Sequence, residues 1–125
     1  MRLRCAPLTV ALLLALPSPA VSRTLFSPAI EGGGPTEGLV CFVLNTGRKA
    51  LRPATAEVRE DGGAVLSGTV LLEGLAPGSV ARVPTLATVT PRTVTCAVDG
   101  KVSPRSVRIT LCISGVPPYG CVTGP

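Results

Sequence analysis

The side chains that enzymes use most often for nucleophilic and acid–base catalysis are scarce in this chain of 125 residues. No histidine is present, which excludes a Ser-His-Asp triad, a Cys-His dyad and a histidine metal site. Lys101 is close enough in sequence to Ser103 for a Ser-Lys pair, but both follow Asp99-Gly100, and a polar turn is the favoured interpretation. We therefore expect no catalytic residues and no enzymatic activity.

Three carboxylates lie close together in the sequence, at Glu57, Glu60 and Asp61. Such a group raises the question of a calcium site or of paired carboxylates for catalysis. Calcium takes about six to eight oxygen ligands, and no oxygen-rich loop follows these residues to supply them. No glycine-rich loop precedes a helix, so a phosphate-binding loop is not expected either. We interpret the group as a solvated hairpin and expect no metal and no cofactor.

Four cysteines lie beyond residue 22, at Cys41, Cys96, Cys112 and Cys121. An even number in a short exported chain predicts two disulfides, for which three pairings exist. No pair has Cys-x-x-Cys spacing, so neither a redox pair nor a zinc knuckle is indicated. The favoured pairing is Cys41–Cys96 with Cys112–Cys121, which flank an eight-residue loop. If Cys41 points outward, Cys41–Cys112 with Cys96–Cys121 follows instead.

The loop between Cys112 and Cys121 contains the one candidate contact surface, Pro117-Pro118-Tyr119. A rigid Pro-Pro unit with an exposed tyrosine loses little entropy on binding, which suits a contact loop. The alternative, which we favour, is a stiff turn whose tyrosine packs on the edge of the domain.

The element that positions these residues is the apolar run Leu39–Leu44, which glycines bound on both sides. A short run rich in valine predicts a strand buried on both faces, the central strand of a small sandwich. Turns are predicted at Asn45–Lys49, at Asp61-Gly62-Gly63 as a hairpin, at Pro77-Gly78 as type II, and at Asp99-Gly100 as a second hairpin. Strands are expected at about 38–45, 54–60, 64–73 (divided or bulged at Gly68), 80–83, 93–98, 106–113 and 121–123.

These patterns together predict an all-β fold. About seven short strands, closely punctuated by glycine and proline, are typical of an antiparallel immunoglobulin-like β-sandwich. We expect this domain to span residues 38–125. Residues 23–37 are expected to form a flexible lead-in, with a short edge strand near Thr24–Phe26.

The first 22 residues have the three parts of a secretory signal peptide. A basic start at Met1–Arg4 precedes the apolar run Val10–Leu16, and small residues follow at Ala20 and Ser22. The run is shorter than the ~20 residues that a membrane-spanning helix needs, so an uncleaved anchor is the less favoured alternative. We expect cleavage after Ser22, with Ala20 as second choice. Cys5 precedes the apolar run, so lipid anchoring is not expected. Because no second apolar span follows, we expect a secreted chain, extracellular or periplasmic, with no membrane insertion after cleavage.

The charge of residues 23–125 is mildly positive. Removing Arg2 and Arg4 from the 12 basic residues leaves ten against seven acidic ones, a net charge of +3. The arginines are scattered along the sequence, and the aromatic residues are Phe26, Phe42 and Tyr119. Nucleic-acid binding favours a basic stripe with aromatic stacking platforms, so we expect no nucleic-acid partner.

Three segments, Leu39–Gly47, Glu57–Gly63 and Leu75–Ser79, have an order of turn motifs that resembles a known family. They resemble the CARDB-like (cell-adhesion-related) and other immunoglobulin-like β-sandwich domains of small secreted bacterial proteins. These domains have an Asn-x-Gly after the first strand, an Asp-Gly hairpin and a Leu-Ala-Pro-Gly turn. The resemblance covers about residues 38–83, and more loosely 93–113. It implies the fold and export, and it transfers no catalytic residues.

The function expected from the sequence is that of a non-catalytic, exported interaction or structural module of the cell envelope or extracellular space. Its partner, a protein or a glycan, is not specified by any motif. The alternative is a small secreted inhibitor of a hydrolase or protease that presents the 113–120 loop. An enzyme of unfamiliar type is the third and least favoured hypothesis.

Overall fold

The computed structural model describes residues 21–32, 34, 37–61, 63–85, 92–115 and 120–125. Within these ranges the chain forms nine β-strands and no helix, and every strand pair is antiparallel. None of the described residues belongs to a helix long and apolar enough to cross a membrane. The strands are β1 (Arg23–Phe26), β2 (Ile30–Gly32), β3 (Gly38–Asn45), β4 (Ala54–Glu60), β5 (Val70–Leu71), β6 (Val80–Pro84), β7 (Arg92–Gly100), β8 (Val107–Ser114) and β9 (Cys121–Gly124).

The strands form two sheets that pack together like a sandwich. The first sheet has the order β1-β7-β4-β5, and β2 also pairs with β7; the second has the order β6-β3-β8-β9. One buried apolar cluster draws on both sheets, so the core lies between them. The predicted all-β class and the two-sheet arrangement are therefore confirmed. Nine strands form where about seven were expected, because the segment before residue 38 also pairs.

Strand β3 lies at the centre of its sheet, between β6 and β8, as the apolar run predicted. Leu39, Cys41 and Val43 face the core and are almost completely buried. The expectation that both faces are buried is met in part, because on the other face Val40 is buried whereas Phe42 and Leu44 are only partly covered.

The edge strand expected near Thr24–Phe26 is present as β1, and β2 follows it along the edge of the first sheet. β1 pairs with Val98 and its neighbours, and β2 pairs with the start of β7. Between them the buried Ser27 maintains the contact, because its hydroxyl accepts a hydrogen bond from the N–H of Cys96 and its own N–H donates to the carbonyl of Cys96, each at 2.9 Å. The first sheet therefore includes residues of the segment before residue 38.

The turn predictions have two outcomes. At Pro77-Gly78 the N–H of Ser79 donates to the carbonyl of Ala76 at 3.0 Å and Gly78 has φ +76°, which confirms the type II turn. The hairpin at Asp99-Gly100 was wrong, because β7 and β8 belong to different sheets. Gly100 instead ends β7, where a Cβ atom would lie 2.6 Å from the carbonyl oxygen of Pro53.

The segment after the Asp61 turn divides as expected at about Gly68. Val65 bridges to Arg59 beside the turn, whereas Val70-Leu71 pairs with Thr55 and Ala56 as β5. Between these pieces, Ser67 accepts a hydrogen bond from the N–H of Val58 at 2.8 Å. The hydroxyl of Ser67 thus replaces one backbone acceptor of the sheet, next to Gly68, where the strand is interrupted.

Two disulfides connect the strands, and their pairing is the one favoured from the sequence. Cys41–Cys96 joins β3 to β7 and so links the two sheets through the core. Cys112–Cys121 joins neighbouring strands β8 and β9 of one sheet at directly opposite positions. The first bond closes 55 residues of sequence and the second only nine.

Candidate functional site

The carboxylates that raised the question of a metal site do not converge. Glu57 lies on the outer face of the first sheet, Glu60 forms an ion pair with Arg92, and Asp61 is exposed at the turn. No group of three or more potential ligands is found in the described ranges. Only Asp61 of the three is exposed, whereas Glu57 and Glu60 are partly buried and each forms an ion pair with an arginine.

Glu57 belongs instead to a network centred on Arg59. The Nε of Arg59 lies 2.5 Å from Oε1 of Glu57, and its Nη2 lies 2.5 Å from Oδ2 of Asp99. Thr24 donates to the other oxygen of Asp99, and Thr69 donates to Glu57 at 3.3 Å. The hydrogen bond to Glu57 and the charge of Asp99 raise the pKa of Arg59 above its ordinary value, against the opposing effect of burial. The contribution of the Arg59 charge is therefore present at neutral pH and is lost as pH rises through that raised pKa, far above neutral.

The other two candidate sites have different outcomes. The hydroxyl of Ser103 accepts a hydrogen bond from the N–H of Arg105 at 3.2 Å, inside a turn. Pro117, Pro118 and Tyr119 lie outside the described residues. The base of their loop is fixed, because the disulfide is followed by a hydrogen bond from the N–H of Ile113 to the carbonyl of Gly120 at 2.8 Å.

The structure brings together a group of basic residues that the sequence separates. Strand β3 ends where β4 begins and where β7 passes into β8, so the connecting segments of both sheets meet at one end of the sandwich. Six exposed basic side chains lie on these segments and on the adjoining start of β1. We call this group the cationic end: Arg23, Arg48, Lys49, Arg52, Lys101 and Arg105.

The buried Asn45 fixes the β3–β4 connection at this end. Its side-chain amide donates to the carbonyls of Lys49 at 2.9 Å and Leu75 at 2.8 Å, and its Oδ1 accepts from the N–H of Gly47 at 2.9 Å. Its backbone N–H donates to the carbonyl of Ser79 at 3.0 Å. Because every polar group of this buried side chain has a partner, the loop that carries Arg48 and Lys49 has a defined path.

A second set of hydrogen bonds joins the two basic connections to each other. The N–H of Thr46 donates to the carbonyl of Ser106 at 3.0 Å, and its hydroxyl donates to the carbonyl of Arg105 at 3.2 Å. The N–H of Lys101 donates to the carbonyl of Pro53 at 3.3 Å. The cationic side chains therefore extend from connected backbone rather than from independent loops.

Two adjacent hollows open at the cationic end, with volumes of about 290 and 350 Å³. Arg52, Lys101 and Ser106 line both of them. Arg23 completes the basic lining of the first hollow, and Arg48 and Lys49 that of the second. No acidic side chain lines either hollow among the described residues, so the arrangement is suited to holding anions.

This group was not predicted, because its basic residues are scattered in the sequence. Arg48 and Arg52 are separated from Lys101 by about 50 residues, and only the pairing of β4 with β7 brings them together. The sequence did contain one indication of the site. The β3–β4 and β7–β8 connections both carry basic residues and lack the alternating apolar residues of a strand. No family model, curated protein or solved structure matches the chain, so the argument for function rests on its own side chains.

Proposed function

We propose that this chain is an exported, non-catalytic β-sandwich that acts as an interaction module through its cationic end. The observation that carries the proposal is the convergence of six exposed basic side chains on hydrogen-bonded connections. Two disulfides are compatible with an oxidising extracellular or periplasmic compartment. The lack of histidine supports a binding role over a catalytic one.

The sandwich is related, in this proposal, to the immunoglobulin class. In those domains strand B pairs with E, strand C pairs with F, and a disulfide joins B to F across the sheets. The pairs β3–β6 and β4–β7, with Cys41–Cys96 between β3 and β7, correspond to these relations. The edges differ. In immunoglobulin domains the first strand lies beside B and the last beside F, whereas here β8 lies beside β3 and β1 lies beside β7.

A pull-down from cell envelope and culture medium tests the proposed function. The disulfide-bonded protein serves as bait beside a variant with Arg48→Gln, Arg52→Gln and Lys101→Gln, and both protein and sugar are analysed in the eluate. We expect the wild type to retain a partner that the variant loses. Equal retention by both proteins, or none by either, contradicts an interaction role for this end. Sequencing of the secreted chain, with Arg23 expected as its first residue, checks the export.

A secreted inhibitor remains the second candidate, because the disulfide and the Ile113–Gly120 hydrogen bond close the base of the 113–120 loop. Such tethering is the geometry that keeps an inhibitory loop ordered before binding. Inhibition of a hydrolase that disappears with Tyr119→Ala, but persists with Arg52→Gln, would favour this candidate over the first.

A further inference from the structure

We propose that the partner of the cationic end is an anionic polysaccharide, of which two neighbouring charged groups bind in the two hollows. This inference rests on the interaction role proposed above and specifies its ligand. The chemistry recognised is that of sulfate, phosphate or carboxylate groups repeated along a sugar chain.

The first support for this ligand is that the basic side chains lack internal neutralisation. In the described part of the chain, ion pairs involve Arg59 and Arg92, and none involves the six residues of the cationic end. Two carboxylates lie on adjoining segments: Asp99, which Arg59 and Thr24 already hold, and Glu73, which precedes the Gly74 that donates to the carbonyl of Leu51. Neither carboxylate lines a hollow. An anionic ligand would therefore meet cations that no protein carboxylate neutralises.

The second support is the shape of the site. Because Arg52 and Lys101 line both hollows, a ligand with two anionic groups can bind on both sides of the same pair of cations. The planar guanidinium of Arg52 matches the paired oxygens of sulfate, phosphate and carboxylate groups. A single small anion would use only one hollow, whereas a polymer with repeated charges uses both.

The third support is that the backbone of the site is already ordered. In the turn from Ser103 to Ser106, the hydroxyl of Ser106 accepts from the N–H of Ser103 at 3.0 Å and donates to its carbonyl at 2.9 Å. Thr46 then joins this turn to the loop of Arg48. Binding needs to order side chains but not loops, which reduces its entropic cost.

The residues that line the hollows favour a sugar chain over other polyanions. Single-stranded nucleic acids bind by stacking on aromatic side chains, and no aromatic residue lines either hollow. Binding to a membrane surface usually adds apolar side chains that enter the headgroup region. Among the lining residues, Leu51 and Val102 are buried, and the exposed Val21 precedes the expected cleavage after Ser22 and would be absent from the secreted chain. An oligosaccharide needs neither feature.

Titration with heparin, a sulfated polysaccharide, tests the inference directly. We expect binding to the wild type, and an affinity at least about tenfold lower for Arg52→Glu, since the change removes one cation from both hollows and adds an anion. Arg82→Glu is the matched control, because Arg82 is an exposed arginine of β6, away from the hollows, and we expect it to bind almost as the wild type does. Thermal unfolding of both variants checks that each is folded.

Three further probes separate the sources of negative charge. Polygalacturonate distinguishes carboxylates from the sulfates of heparin, and binding of either polymer with loss in Arg52→Glu supports the inference. Equal affinity for duplex DNA, or binding to vesicles of phosphatidylglycerol and phosphatidylcholine without binding to heparin, overturns it. So does equal heparin binding by Arg52→Glu and Arg82→Glu. If a protein partner depends on the cationic end in the pull-down while heparin does not bind, the inference fails and the interaction role stands.

Discussion

The two ends of the sandwich differ in charge and in the way their connections are held. At the cationic end, six basic residues extend from segments that a buried asparagine and backbone hydrogen bonds fix in place. The opposite end holds the Asp61 turn, the junction of β2 with β7 and the disulfide-closed 113–120 loop. Its carboxylates include those of Glu31 and Glu60. The two ends therefore differ in that the cationic end holds like charges without ion-pair partners among the described residues, on a backbone that hydrogen bonds fix in place.

The Arg59 network supports this interpretation from within the first sheet. Its arginine has carboxylate partners at 2.5 Å on both sides, and these ion pairs stabilise the outer face. Among the described residues of this network, no unpaired cation remains for an anionic ligand. A cation with two carboxylate partners has a structural role, whereas six cations without such partners have the properties of a binding surface.

The largest expected effect is that of removing the Cys41–Cys96 disulfide, which lies in the core between the two ends. Replacing Cys41 and Cys96 by alanine should lower the free energy of unfolding by about 4 kcal/mol, because the bond closes a long loop in the unfolded chain. Urea denaturation of the double variant measures this loss. Amide hydrogen exchange should increase at both ends, since the bond lies in the shared core. A loss below about 1 kcal/mol would contradict the view that this bond organises the sandwich.

Removal of the Asn45 side chain should affect the cationic end selectively. Asn45→Ala leaves the carbonyls of Lys49 and Leu75 and the N–H of Gly47 without their partners, which should cost about 2–4 kcal/mol in total. Asn45→Asp is the informative control, because it keeps the acceptor for Gly47 and loses both donors. We expect faster amide exchange at residues 46–51 in both variants and unchanged exchange at 121–124. Equal loosening of both ends would show that the asparagine acts through the core instead.

Removal of the Cys112–Cys121 bond should loosen the end of the sandwich opposite the cationic end and leave the cationic end unchanged. The loop it closes is short, so replacement of both cysteines by alanine should cost about 2.5 kcal/mol, less than loss of the core disulfide. Exchange should increase for the β8–β9 pair and stay unchanged at Lys49 and Lys101. Heparin binding should also be unaffected, since the bond is remote from both hollows. Lower heparin affinity in this variant would break the distinction between the two ends.

The sequence predicted those features that depend on neighbouring residues. Pro77-Gly78 specifies a type II turn because proline fixes one φ and glycine allows the positive one that follows. Apolar residues alternate with other residues along β4 and β8, and the buried positions of both strands follow that alternation. Gly100 shows the limit of this reasoning, since the same Asp-Gly pair can make a hairpin or end a strand beside another backbone. Only the packing of Ala54 against it decides between these outcomes.

The candidate site was harder to predict because it depends on which strands pair. Arg52 and Lys101 become neighbours only when β4 lies beside β7, and no local pattern specifies that pairing. Asn45 likewise looked like an ordinary turn residue. It is buried beneath the β5–β6 connection, in which the carbonyls of Leu75 and Ser79 accept hydrogen bonds from it. The sequence was thus sufficient to predict the apolar strand and both disulfides, whereas its candidate contact residues Pro117, Pro118 and Tyr119 lie outside the described residues.

The smallest expected effect separates paired from unpaired arginines most directly. Arg59→Gln should lower the free energy of unfolding by about 1 kcal/mol at low salt, because Glu57 and Asp99 lose their common partner. Arg52→Gln should instead leave the melting temperature unchanged or raise it by up to about 2 °C, since it relieves repulsion among like charges. Both differences should shrink as added salt shortens the screening length to below about 10 Å. Thermal unfolding of the two variants across a salt series measures both signs. If Arg52→Gln were as destabilising as Arg59→Gln, Arg52 would have a structural partner. The cationic end would then hold paired arginines, as the Arg59 network does, and the distinction between the two regions would fail.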